Sequence, residues 1–216
     1  LGDEQQLESI GIPVLIPLLQ SGIIPTMTLT QIHRQAQKSA IIIDSIAIRQ
    51  GKQPLKESSG VITHGELQDL TYDLVESDDD IFLHTLREFH KHIQTENILN
   101  VQILTPTRAK GKVSCFMLNN ACQKVYNPYD ESKDEVSIGK DSSQYVLRVG
   151  DKVINVINNY SAEDEHGASC PVFNGNIGII EKFDKSEDDG EYMLIDFEGI
   201  GKVRIYKNNY SSIQLA

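Results

Sequence analysis

Arg108, Lys110, Lys112 and Lys124 fall within Val101–Tyr126, and no aspartate or glutamate interrupts them. Val101-Gln102-Ile103-Leu104 reads as a buried strand, Thr105 to Lys112 as a turn, and Val113 to about Val125 as a helix. A strand, a tight turn and a helix start can cradle a phosphate. The free N–H groups and the macrodipole at a helix N-terminus both favour an anion. Two further residues carry chemistry that a site could use. Arg34 carries a guanidinium, which stays charged and offers a fork of donors, and on residue type alone a surface or capping role is the reading that fits it better. Asp3 follows what reads as a strand end, where open α/β sheets place ligands, or it simply occupies a turn.

Other chemistries find little support. The three cysteines, Cys115, Cys122 and Cys170, form no CxxC pair and read as buried thiols of a reducing, cytoplasmic compartment. His84, His90 and His92 share one expected helix without a partner motif for a metal. The net charge of −11 argues against a generic nucleic-acid binder. Its acid is concentrated in Glu76–Asp80, Asp130–Glu135, Glu163–Glu165 and Glu187–Glu191, so a locally positive surface at Val101–Tyr126 remains compatible with it. No run is apolar for long enough to cross a membrane as a helix, and the N-terminus has no signal-peptide pattern. Leu1-Gly2-Asp3 looks like the tail of a strand cut in half, so a piece of a longer protein is expected.

The elements that would position these residues begin with a short apolar helix at Ile12–Gln20, stopped by Ser21-Gly22. A brief strand at Thr26–Leu29 follows, then a helix over Lys38–Gln50 with Ala40, Ile43, Ile46 and Ala47 on its buried side. Lys52–Gly65 reads as loop, and Glu66–Val75 as a modest strand. Asp78–Asp80 open a helix whose stripe of Ile81, Leu83, Leu86, Phe89 and Ile93 should be core. Tyr129–Asp141 reads as an acidic linker, exposed and poorly ordered. Beyond it, β-branched residues alternate with turn signals at Gly150-Asp151, Asn174-Gly175 and Gly199-Ile200-Gly201. Strands there, with Tyr192–Phe197 and Lys202–Tyr206 as the last two, suit a small SH3-like barrel.

Several stretches, in this order, resemble one family. They are Gly2-Asp3-Glu4-Gln5-Gln6-Leu7, the LTQIHRQ run at 29–35, the LTPTR run at 104–108, and Leu118-Asn119 with Gln123 and Asn127-Pro128. RVGDKVI with Asn158-Asn159-Tyr160, and then VFNGNIG, complete the set. Together they look like the RecD-like branch of superfamily 1 DNA helicases, which includes the exodeoxyribonuclease V alpha subunit and free-standing relatives. The TPxR loop departs from the family pattern, with Thr107 in place of Met and only Gly111 of two expected glycines.

The resemblance implies an α/β chain, part of a RecA-like motor domain with an inserted SH3-like β-barrel. Residues 1–25 would be the tail of the first motor domain and 26–128 part of the second. Residues 129–144 would link to a barrel at 145–207, and 208–216 would return to the motor. By the same resemblance Gln6 and Arg34 would be catalytic, and Asp3, Gln6, Arg34 and Gln35 would face ATP. Thr105, Thr107, Arg108, Lys110, Asn119, Asn158, Asn159, Tyr160 and Asn174 would face single-stranded DNA, the Asn residues alternatively fixing their loops. The implied activity is ATP-driven 5′ to 3′ translocation with strand separation, using ATP and Mg2+ in the whole protein. The chain has no GxxxxGK(S/T) run. It is therefore expected to hold no cofactor and to be inactive as an ATPase alone. The family's HKSQG motif would follow Ala216. Single-stranded DNA is the implied partner, with other subunits of an exonuclease or helicase complex as further ones and no membrane. Two alternatives stay open: a non-catalytic SH3-like interaction module binding peptide or RNA, and the helicase core of a conjugative relaxase.

Overall fold

The computed structural model describes residues 11–27, 38–56, 59–139, 144–186 and 190–216. The chain divides into two compact units, Leu1–Glu76 and Ser77–Ala216.

In the first unit, helix α1 spans Leu15–Ser21 and ends where Gly22 takes φ +67°, a left-handed stop that costs glycine nothing. Thr26 and Met27 are not in a strand, and the rest of the strand expected there lies outside the described residues. Helix α2 spans Ala40–Arg49. Ala40 is fully buried, but the expected inward face is wrong at Ile43, which is exposed, while Asp44 is buried. Asp44 turns inward because it has partners there. Its Oδ2 accepts from the Tyr72 hydroxyl at 2.8 Å and lies 2.7 Å from His64 Nδ1.

Strand β1, Gly60–His64, pairs antiparallel with strand β2, Leu70–Leu74, in the register Gly60↔Leu74 to His64↔Leu70. Lys52–Gly65 is therefore not all loop. Ile62 and His64 alternate inward while Val61 and Thr63 face out, the period of a half-buried strand. At the end of β1, a Cβ on Gly65 would stand 2.5 Å from Ala40 Cβ, so the turn admits only glycine under α2.

The second unit opens with helix α3, Asp78–His92, capped by Ser77 Oγ, which accepts from Asp80 N–H at 3.1 Å. Of the expected core stripe Phe89 is buried, whereas Ile81 and Leu83 are exposed. Val101–Leu104 forms no strand among the described residues, and Leu104 is 89% exposed. The segment is held by one side chain rather than a ladder: buried Lys152 donates to Val101 O at 2.7 Å and to Gln102 Oε1 at 2.9 Å. Helix α4 then runs from Cys115 to Tyr126.

The stretch expected as a disordered acidic linker contains strand β3, Glu135–Ile138, paired antiparallel with strand β4, Tyr145–Arg148. Val136 and Ile138 pack against the core, which supplies the apolar burial that the acidic composition concealed. Strands β5 (Lys152–Asn155), β6 (Glu163–Asp164), β7 (Ile177–Ser186), β8 (Gly190–Phe197), β9 (Gly201–Tyr206) and β10 (Ile213–Leu215) form a six-stranded antiparallel sheet. Its order is β10-β5-β7-β8-β9-β6. A register shift between Ile180 and Lys182 bends β7. Among the described residues no ladder joins β10 to β6, so the sheet is not a closed barrel. Val153, Ile180, Met193, Ile195, Phe197, Val203, Ile205 and Ile213 form its core cluster, which Leu147 of β4 joins.

Candidate nucleic-acid interface

The loop before α4 folds back onto the helix start. Cys115 N–H donates to Thr107 O at 2.9 Å and Phe116 N–H to Arg108 O at 3.0 Å. Met117 N–H donates to Ser114 Oγ at 3.4 Å, and Thr105 Oγ1 donates to Val113 O. The first-turn N–H groups are thereby spent within the chain, so an anion here would be held by side chains and not by the helix end. Arg108 and Lys110 are both exposed. Arg108 Nη2 donates to the neutral Gln214 Oε1 at 3.2 Å, which steers the guanidinium without cancelling its charge. Lys112 instead forms an ion pair with Asp79 at the start of α3.

Asn119 sits one turn into α4 and donates to Leu215 O at 2.6 Å, which ties the helix to β10. Between them opens a cavity of about 370 Å³, lined by Arg108, Cys115, Phe116, Asn119, Asn120 and Gln214 among others. Arg108 and Asn119 thus meet at one site. The described structure gives no role of this kind to the side chain of Thr107, while Thr105 is occupied inside the loop.

Further along the same face of α4 lies a buried polar hub that sequence reasoning did not assign. Asp151 is almost fully buried. Its Oδ2 accepts from Gln123 Nε2 at 2.6 Å and Arg148 N–H at 2.7 Å, and its Oδ1 accepts from Asn127 Nδ2 at 2.7 Å. Arg148 Nη1 returns to Asn127 O at 2.9 Å, and its Nη2 pairs with Glu135 at 3.2 Å. Burial pushes the Asp151 carboxyl above its ordinary range, against the hydrogen bonds from Arg148, Asn127 and Gln123 and the Arg148 charge that pull it down. The signal was present as Asn119, Gln123 and Asn127, polar residues four apart and so on one helix face.

The remaining candidates, Asn158, Asn159, Tyr160 and Asn174, form a separate loop cluster. Asn158 Oδ1 accepts Asn174 N–H at 2.8 Å and its Nδ2 reaches the Tyr160 hydroxyl at 3.3 Å. Asn159 Oδ1 accepts Ser161 N–H at 3.2 Å. Buried Asn155 donates to Ile157 O at 2.8 Å and Phe173 O at 3.0 Å. Asn158 and Asn159 thus brace the loop, and what it presents is aromatic. Tyr160 and Phe173, 69% and 45% exposed, meet edge to face at 5.8 Å between ring centres. Phe173 was not among the sequence candidates.

Asp3, Gln6, Arg34 and Gln35 lie outside the described residues. Among the described residues no cluster of His, Cys, Asp or Glu could hold a metal, and no helix is long and apolar enough to cross a membrane.

Residues 118–197 match the family described as the ATP-dependent RecD-like DNA helicase SH3 domain. The match begins at Leu118, inside α4, and ends at Phe197, the last residue of β8, so β9 and β10 lie beyond it. The chain is also similar to the ATP-dependent RecD2 DNA helicase of Deinococcus radiodurans, at 28% identity over 204 residues. That similarity covers 92% of this chain and 23% of the relative, so the chain spans under a quarter of the relative's length. Both findings support a RecD-like helicase fragment, the family that the motifs resemble.

Proposed function

We propose that this chain is the part of an ATP-dependent DNA helicase that grips single-stranded DNA and relays nucleotide state to that grip. Residues 26–128 would belong to the second RecA-like motor domain and 1–25 to the tail of the first. The observation that carries the reading is the exposed Arg108 and Lys110 pair, set before α4 in a loop whose Thr107 and Arg108 carbonyls accept the first N–H groups of the helix. Two exposed cations with no carboxylate in the same segment suit a phosphodiester backbone. The similarity to a DNA helicase across most of the chain supports the same reading.

ATP and Mg2+ would be held mainly by a phosphate loop elsewhere in the whole protein, since this chain has no GxxxxGK(S/T) run. Arg34 would reach the γ-phosphate across the cleft, with Asp3, Gln6 and Gln35 beside it. The test uses the whole protein. Arg34→Ala should cut ATP turnover by about 10³-fold while single-strand affinity stays within a factor of two, because the contact stabilises the transferring phosphoryl group and not the DNA. Arg34→Lys should rescue little, lacking the fork. Unchanged turnover in Arg34→Ala would return Arg34 to a surface role.

A second reading, a module that binds a peptide, is favoured by Tyr160 and Phe173. They lie near the acidic Glu163-Asp164-Glu165 stretch. A basic peptide that displaced DNA from neither Arg108 nor Lys110, yet bound this loop, would support it.

A further inference from the structure

We propose that the cavity between α4 and β10 takes one nucleobase of the bound strand, its phosphate lying on Arg108. The proposal rests on the single-strand reading above and names the unit that would enter the site. The cavity holds about 370 Å³, within the range of small-ligand pockets. Phe116, Ile138, Tyr145 and Leu215 give it apolar and aromatic walls on which a base face can lie.

Its polar groups are few and fixed by internal hydrogen bonds, which orients what remains. Asn120 Nδ2 donates to Phe116 O at 2.8 Å, leaving its Oδ1 to accept. Asn119 Nδ2 donates to Leu215 O at 2.6 Å, leaving its Oδ1 likewise. Gln214 gives its Oε1 to Arg108 at 3.2 Å, leaving its amide hydrogens to donate. Acceptors and a donor around an apolar slot match the mixed edge of a base. A bare phosphate would meet the Asn119 and Asn120 amide oxygens and no cation inside, so it belongs at the mouth with Arg108. The charge at the mouth and the uncharged interior together select a nucleotide unit of a strand over a free anion or a purely apolar ligand.

The experiment compares two fluorescent single-stranded oligonucleotides of equal length at fixed salt. One is ordinary DNA and the other has abasic sugars throughout, so the phosphates are the same. The intact chain should bind the abasic strand about tenfold more weakly, in keeping with roughly 1–3 kcal/mol per stacked base. Asn120→Ala and, separately, Phe116→Ala should lower affinity for ordinary DNA towards that of the abasic strand while leaving the abasic strand's affinity unchanged. Thermal melting of each variant establishes that it is folded. Equal affinity of the intact chain for both strands would overturn the pocket and leave the backbone grip standing. Loss of ordinary discrimination in neither variant would place the base elsewhere and also overturn it. Failure of both strands to bind would overturn the single-strand reading itself, and the pocket with it.

Discussion

Asp151, 1% exposed, sits where α4 meets the turn between β4 and β5. Its two oxygens accept three hydrogen bonds, from Gln123, Asn127 and the Arg148 backbone, that join α4 to the turn between β4 and β5. Asp151→Ala would strand those buried donors together with Arg148, a loss of about 3 kcal/mol measurable by urea unfolding. Because burial raises this carboxyl above 3.8, the native state holds its proton longer than the unfolded chain does. Its titration therefore favours folding most below that value, and the benefit is lost as pH rises through the folded value. The deficit of Asp151→Ala should narrow over that rise; a deficit that widens would contradict the direction. Cys122 behaves alike at higher pH. Burial pushes its thiol up to about 11 from 9.0, so stability linked to it is intact below 9.0 and lost as pH climbs through about 11. At pH 8 iodoacetamide should label Cys122 at least roughly a hundredfold more slowly than an ordinary thiol, since two pH units of thiolate are missing. Mass spectrometry of labelled peptides reads this directly, with Cys115 and Cys170 as the more exposed comparators. The sequence read all three thiols as buried, which holds for Cys122, whereas Cys115 and Cys170 are only half-buried. It could not mark Asp151 as the hub, because a Gly-Asp pair in a turn looks the same whether the carboxylate faces water or three donors.

Helix boundaries were legible where a local signal was read, Asp78–Asp80 at the start of α3 and Gly22 after α1, whereas α4 starts at Cys115 behind its Ser114 cap and not at Val113. Strands were legible where β-branched residues lie between turn dipeptides, as in β7 to β9. The failures share one cause, that pairing is not local. β1 and β3 are short and polar on one face, so only their partners β2 and β4 reveal them. Val101–Leu104 erred the other way, an apolar run that meets Lys152 and no ladder. The VFNGNIG stretch also has a packing meaning. A Cβ on Gly178 would lie 2.5 Å from Asp196 O and 2.9 Å from Phe197 Cα, where β7 presses on β8. Gly178→Ala should therefore cost about 1–3 kcal/mol, because backbone and not a flexible side chain must move. A thermal melt within a degree of the parent chain would contradict that close approach.

At the scale of the whole molecule, charge is the deciding quantity. A total of −11 opposes DNA at long range, while Arg108 and Lys110 act within a few ångströms and the acidic loops are screened beyond about 8–10 Å at moderate salt. Sequence alone counted Lys112 in the same cluster. Its ion pair with Asp79 removes it and leaves two cations for phosphate. The motor-domain half of the reading rests on motif order alone, and Gln6 and Arg34 stand on resemblance. The Arg108 site, by contrast, can be tested in the chain itself. The most direct measurement is the salt dependence of single-strand binding, by fluorescence anisotropy with the intact chain and with the Arg108→Ala/Lys110→Ala variant. Two neutralised phosphates predict a slope of log affinity against log salt of about −1.4, at about −0.7 per phosphate, collapsing towards zero in the variant. A variant that binds with the parent's slope would contradict the account, because the strand would then be gripped somewhere other than the loop before α4.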